Sequence, residues 1–145
     1  MFDSWYSSLE NLKLVRNYGW IWVTRLKSNR LVNPDRSGNV PISKVEISRK
    51  GTEVHLKGFG LIKVFEIESQ NGDIEHWATN DLDSDEFSIL PYTERNWAIE
   101  NYHRGLKKFC GVERSQVRGA IAQRNHIGCA IRAFLRLERF SFHRS

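Results

Sequence analysis

A tight-turn signal in the middle of the chain places the strongest constraint on its fold. The turn is Gln70-Asn71-Gly72-Asp73, and it separates two runs rich in apolar and β-branched residues, 61–68 and 74–79. An Asn-Gly pair supplies the positive φ angles that a tight hairpin turn requires. The sequence therefore predicts an antiparallel hairpin, and the runs 45–48 and 53–57 predict two further strands of a β-rich segment over residues 29–83.

Helical spacing characterises the chain before this segment. A helix capped by Ser4 or Ser7 is predicted to end near Asn17, because apolar residues recur at intervals of three and four. Gly19 follows as a stop signal, and residues 20–26 predict a strand.

Two longer helices are predicted after the β-rich segment. The first has Pro91 in its first turn and runs to about Cys110, with Gly111 as its C-terminal cap. The second extends from Ser115 to about Phe140. Its predicted buried stripe consists of Ile121, Ile127, Ile131, Phe134 and Leu135. The expected fold is an α/β (α+β) domain over residues 1–145 with three parts: 1–28, 29–83 and 84–145.

Composition narrows the cellular setting. The longest apolar run, residues 20–23, is far shorter than the ~20 residues that a membrane helix needs. No basic region followed by an apolar stretch opens the chain, so no signal peptide is predicted. Cys110 and Cys129 form no Cys-x-x-Cys motif, which predicts neither a disulfide framework nor a zinc site. We expect a cytoplasmic protein that does not enter a membrane.

Positive charge is concentrated in the last part of the chain. Residues 92–145 contain 11 Lys and Arg and 4 Asp and Glu, a net charge of +7, whereas residues 1–91 contain 11 and 13, a net charge of −2. A basic segment on a nearly neutral body favours a polyanionic partner, most often nucleic acid. Composition leaves open the alternative of a solvated helical face with a basic bias.

The predicted helix over residues 91–110 has two distinct faces. Its apolar stripe consists of Ile99, Tyr102, Leu106 and Phe109. Its polar face consists of Glu100, His103, Arg104 and Lys107, since positions i, i+3, i+4 and i+7 are neighbours on a helix. A carboxylate flanked by cations suits a hard metal ion bound next to phosphates. Ordinary exposed ion pairs, worth ~0.3–0.5 kcal/mol each, have the same spacing.

Residues 92–107 resemble the signature of DDE transposases of bacterial insertion sequences, which is Tyr, two residues, Arg, three residues, Glu, six residues, Lys. Residues 97–100 and 123–138 also resemble segments of these proteins, the latter their terminal helix. At the other end, residues 2–8 resemble the end of the core strand that holds the second catalytic Asp, and a β-rich insert is typical of this branch. The matching signature positions are Tyr92, Arg95, Glu100 and Lys107.

This resemblance implies a partial ribonuclease-H-like core with an inserted β-rich segment and C-terminal helices. It also implies two magnesium ions between three carboxylates, and DNA, as transposon ends and target, as the partner. Carried over residue by residue, Asp3 is the second acidic ligand and Glu100 the third. The expected DNA contacts are Tyr92, Arg95 and Lys107, to which the spacing on the helix adds His103 and Arg104.

The chain departs from the family pattern at two points. Four residues, not three, separate Arg95 from Glu100, which turns Arg95 by about 100° on a continuous helix. Either the helix starts late enough to absorb this shift, or Arg95 lacks the family role. In addition, only two residues precede Asp3, whereas the first Asp of the family lies well upstream. We therefore expect a C-terminal fragment of a transposase domain that alone neither cleaves nor joins DNA.

Three other functions remain compatible with the sequence. The chain could be a non-catalytic DNA-binding module, a regulatory module that pairs with full-length transposase, or another ribonuclease-H-like nuclease. Asp3 by itself also fits an ordinary helix cap, and the basic residues fit a solvated surface.

Overall fold

The computed structural model describes residues 1, 4–114, 116 and 118–144, which form helices and an antiparallel sheet. The helices are α1 (Leu9–Asn17), α2 (Glu86–Phe109) and α3 (Ala120–Arg144). The strands are β1 (Val23–Leu26), β2 (Leu31–Asn33), β3 (Val40–Pro41), β4 (Thr52–Leu56), β5 (Gly60–Glu68) and β6 (Ile74–Thr79). The predicted α+β class is confirmed. The chain divides into two compact units, Met1–Asn96 and Trp97–Ser145.

The strands of the described residues join one sheet in the order β1-β6-β5-β4-β2-β3, and every neighbouring pair is antiparallel. The predicted hairpin joins β5 to β6. At its turn the Ser69 N–H donates to the carbonyl oxygen of Asp73 at 2.8 Å, and Gly72 adopts a φ of 85°. Glycine reaches this left-handed region without the steric cost of a Cβ atom, which explains why the turn falls here.

Strand β1 attaches the first part of the chain to the edge of this sheet by pairing with β6. It is shorter than the predicted strand over residues 20–26, because the side chain of Asn80 replaces backbone pairing there. Asn80 Oδ1 accepts a hydrogen bond from the Trp22 N–H at 2.9 Å, and Nδ2 donates to the carbonyl oxygen of Trp20 at 3.2 Å.

The N-terminal cap of α1 is Ser8, whose Oγ accepts from the Asn11 N–H at 3.3 Å. The predicted caps Ser4 and Ser7 are wrong. Ser4 belongs to a separate 3-10 turn (Ser4–Tyr6), and the Ser7 hydroxyl donates to the carbonyl oxygen of Ser4 at 2.7 Å. The predicted stop at Gly19 is confirmed, with a φ of 71°.

The core of the first unit lies between α1 and the sheet. Leu12 of α1 is fully buried in a cluster that includes Trp22 and apolar residues of β4, β5 and β6. Phe59 meets the Trp22 ring edge-on, with 5.5 Å between ring centroids. The Arg16 guanidinium lies 4.5 Å from the centroid of the Phe59 ring and also donates to the Phe59 carbonyl oxygen at 2.9 Å. Apolar burial and the cation–π contact and hydrogen bond of Arg16 thus attach the helix to the sheet.

Helix α2 begins earlier than the sequence predicted. Asp85 Oδ1 accepts hydrogen bonds from the N–H and the hydroxyl of Ser88, at 2.8 and 2.6 Å, and these bonds lower the pKa of the Asp85 carboxyl. This cap starts the helix at Glu86, so the prediction that Pro91 lies in the first turn is wrong. The predicted C-terminal end is confirmed: α2 ends at Phe109, and Gly111 adopts a φ of 61°.

The predicted burial of α3 is wrong in part. Its described start is Ala120, and Ser115, where it was predicted to begin, lies outside the described residues. Three residues of the predicted stripe are exposed, because α3 buries a narrower line of contact that includes Ala130 and, in part, Phe134. The exposed members are Ile121, Ile127 and Leu135.

One predicted short strand is wrong, and two short strands were not predicted. Residues 45–48 form no strand, since they follow a 3-10 turn (Ile42–Lys44) and return to the sheet only at Thr52. The short strands β2 and β3 were not predicted. Both are too brief for alternation of apolar and polar residues to reveal them.

Candidate nucleic-acid and metal-binding site on helix α2

The second half of α2 is fixed by its packing against α3. Leu106 is 7% exposed, and Tyr102 meets the ring of Phe134 on α3 edge-on, with 5.1 Å between centroids. Gly105 lies against the same ring. Because these residues recur at intervals of three and four, they fix which side of the helix points away from α3.

The polar residues of this helix segment share one shallow surface depression of about 530 Å³. Four of its five lining residues were singled out from the sequence, and Lys108 completes the set. Glu100 is half-buried, whereas the four basic or imidazole side chains are exposed. The lining residues are Glu100, His103, Arg104, Lys107 and Lys108. The depression therefore combines one carboxylate with three permanent cations, an arrangement that attracts phosphate groups.

Lys107 has an acidic partner that the sequence did not indicate. Its Nζ lies 2.7 Å from Oε1 of Glu113, in the 3-10 turn (Val112–Arg114) that follows α2. Both side chains are more than half exposed, and an ion pair in water contributes only ~0–1 kcal/mol. The pair with Glu113 therefore holds the Lys107 ammonium group only weakly.

Tyr92 and Arg95 lie on the part of α2 that belongs to the first unit, where Tyr92 is half-buried and Arg95 is exposed. The helix begins at Glu86, well before Arg95, and so a late helix start does not absorb the extra residue between Arg95 and Glu100. The departure from the family spacing thus falls within a continuous helix.

The remaining predicted ligand, Asp3, lies outside the described residues. Among the described residues, no three His, Cys, Asp or Glu side chains converge to form a metal-binding group. Glu100 fits one position of a magnesium site, since a carboxylate oxygen at an open depression is the donor that this hard ion prefers. One carboxylate surrounded by cations does not suffice to bind magnesium, and such a site requires further acidic ligands.

Comparison with known families identifies the family of the chain. The family model described as transposase DDE domain matches residues 1–135. The chain belongs to the DDE transposase family. The predicted resemblance to this family is thereby confirmed, and the match runs through both compact units. No curated protein and no solved structure matches the chain.

Membership of the DDE transposase family indicates which ligands to consider for the depression on α2. Transposases of this family act on DNA and generally use divalent metal ions. None of the described helices is both long and apolar enough to span a bilayer. The described sheet is antiparallel throughout, and the ribonuclease-H-like arrangement stays a prediction.

Proposed function

We propose that this chain supplies two acidic ligands and several DNA contacts to a transposase active site that cleaves DNA and joins the strands. The proposed ligands are Asp3 and Glu100. The observation that carries the proposal is that Glu100 shares one depression with three cations and His103, in a member of the DDE transposase family. The proposed DNA contacts are Tyr92, His103, Arg104 and Lys107. Arg95, which the signature also predicted, is left out, because the continuous helix turns it by about 100° from the family direction relative to Glu100.

Each group has a distinct chemical task. When bound, magnesium ions would supply Lewis acidity for the cleavage and joining of a phosphodiester. Asp3 and Glu100 would hold these ions through carboxylate oxygens. Arg104 and Lys107 donate charge-assisted hydrogen bonds to phosphates next to the reacting bond, and they offset the negative charge that carboxylates and phosphodiester bring together.

In this proposal, Asp3 and Glu100 are two of the three carboxylates that the family uses. We propose that the chain binds DNA in the cytoplasm, as transposon ends or target, without cleaving or joining strands by itself. Full-length transposase is the proposed protein partner.

Metal binding can be tested without activity by adding Mn²⁺ to ¹⁵N-labelled protein. Paramagnetic broadening of backbone amides around Glu100 is expected in the wild type and is expected to disappear in Glu100→Gln. Glu94→Gln is the matched control, since Glu94 is an exposed glutamate on the same helix. Equal broadening near Glu100 in both variants would rule out Glu100 as a ligand.

DNA binding is tested by the fluorescence anisotropy of a labelled duplex over a range of salt concentrations. Lys107→Ala is expected to weaken DNA binding and to remove about one phosphate contact. The slope of the logarithm of the binding constant against the logarithm of the salt concentration should then fall in magnitude by roughly 0.9. Lys50→Ala, which removes an exposed lysine of the first unit, is the control. Binding that is salt-dependent but insensitive to Glu100→Gln and to chelators favours the alternative, a non-catalytic or regulatory module derived from a transposase.

A further inference from the structure

A second basic pocket, of about 450 Å³, lies in the first compact unit at the start of α1. Three cationic side chains from two separate segments line it. Lys27 and Arg30 belong to the turn between β1 and β2, which is closed by a hydrogen bond from the Arg30 N–H to the Lys27 carbonyl oxygen at 2.9 Å. Lys57 comes from the turn after β4. The fold thus brings together cations that are about thirty positions apart in the sequence.

Three serines line another part of this pocket. Ser4, Ser7 and Ser8 all contribute to it. Because Ser8 Oγ accepts the hydrogen bond that caps α1, its own hydroxyl hydrogen can be donated into the pocket. Leu9, the first residue of α1, also lines the pocket, and the positive end of the helix dipole adds to the local potential.

The chemistry of this pocket selects an anion with several acceptor oxygens. Among the lining residues that the structure describes, none is acidic, whereas three are permanently positive. Lys27 and Lys57 are exposed and Arg30 is half-buried, so this side of the pocket faces solvent. A tetrahedral phosphate suits Arg and Lys donors combined with the hydroxyl donor of Ser8, since each hydrogen bond to it is charge-assisted.

We propose that this pocket binds a phosphate group of the DNA backbone, through residues other than those around Glu100. The inference rests on the proposed function insofar as DNA is the ligand. Phosphate contacts of this kind position a protein on DNA without reading its sequence. The pocket therefore contributes affinity and orientation of the duplex, and it contributes no base preference.

The test compares two double variants by the anisotropy of a labelled duplex at several salt concentrations. Lys27→Ala/Lys57→Ala removes two charges from the pocket, and Lys44→Ala/Lys50→Ala removes two exposed lysines elsewhere in the same unit. The Lys27→Ala/Lys57→Ala variant, the pocket pair, is expected to lower the log–log salt slope by roughly 0.9, as for one lost phosphate contact. It is also expected to weaken DNA binding more than the Lys44→Ala/Lys50→Ala variant, the control pair. Equal effects in both pairs would overturn the proposal.

Further measurements separate the possible outcomes. Lys27→Arg/Lys57→Arg is expected to restore the slope, and circular dichroism confirms that each variant folds. Amide shifts of Ser7 and Ser8 on addition of inorganic phosphate, without a difference between the two double variants in DNA affinity, would assign the pocket to free phosphate and overturn the DNA proposal. A slope lowered by Lys107→Ala but not by the pocket pair would leave the proposed function intact and refute this inference. A slope lowered by the pocket pair alone would support the pocket and refute the contact at Lys107.

Discussion

Gly105 of α2 lies directly against the ring of Phe134 on α3, and a Cβ atom added at Gly105 would overlap that ring. The neighbouring Tyr102 meets the same ring edge-on. The close approach of the two helices therefore depends on a position where only hydrogen fits. This contact lies beside the segment of α2 that carries Glu100 and the cations around it.

Replacing Gly105 by alanine is expected to lower the free energy of unfolding by about 1–3 kcal/mol, because the added methyl group must displace the Phe134 ring. This loss is expected even though alanine is better than glycine inside a helix by about 1 kcal/mol. Urea denaturation followed by circular dichroism measures the change.

Gly128 provides the matched control for this substitution. It lies within α3, and a Cβ atom added there meets no other atom within 4 Å. Gly128→Ala is therefore expected to raise the free energy of unfolding by about 0.5–1 kcal/mol. Destabilisation of similar size in both variants would contradict the proposed role of the Gly105–Phe134 contact.

Leu12 and Leu14 allow the core contact of α1 to be separated from its helix propensity. Leu12 is fully buried against the sheet, whereas Leu14, two residues later on the same helix, is 54% exposed. Leu12→Ala is expected to lower the free energy of unfolding by about 2–5 kcal/mol. Leu14→Ala, the same chemical change, is expected to alter it by less than about 0.5 kcal/mol. Chemical denaturation of both variants tests this difference.

His76 on β6 gives the first unit a dependence on pH. Its burial lowers the pKa of the imidazole below the usual value of 6.5, and nearby Glu66 offsets part of this shift. The unfolded chain therefore binds a proton at a higher pH than the folded chain does. The stability that the neutral, buried His76 imidazole contributes is complete above pH 6.5. It is lost as the pH falls from there through the lowered pKa.

We expect the free energy of unfolding to decrease between neutral pH and pH values below 6.5, and His76→Gln to reduce this slope. His55→Gln is the control, since His55 is exposed on β4. Denaturation series at matched ionic strength provide the measurement. An unchanged slope in His76→Gln would assign the pH dependence to other groups.

The parts of the fold that the sequence predicted are those with local causes. The Asn71-Gly72 turn and the glycine stops at Gly19 and Gly111 are such cases, since a positive φ marks each glycine. The polar face of α2 was predicted for the same reason, because helical spacing alone places Glu100 next to Arg104.

Features that depend on distant residues escaped prediction. The side chain of Asn80 forms hydrogen bonds with the backbone of residues 20 and 22, which lie 60 and 58 positions earlier, and thereby shortens β1. The ring of Phe134 on α3 lies against Gly105, a contact that no periodicity within α3 reveals. Asp3 lies outside the described residues, so its predicted role as a ligand stays a prediction.

The ion pair between Lys107 and Glu113 predicts an unusual gain of DNA affinity. The Glu113 carboxylate lies 2.7 Å from the ammonium group of Lys107. We propose that this ammonium group donates hydrogen bonds to a DNA phosphate. Exposed pairs of this kind contribute about 0.2–1 kcal/mol, so Glu113→Gln is expected to tighten binding of a labelled duplex by about 1.5- to 5-fold at low salt. Glu94→Gln raises the net charge by the same amount and is the control. If both variants tighten binding equally, the gain comes from net charge, and Glu113 does not compete with DNA for Lys107.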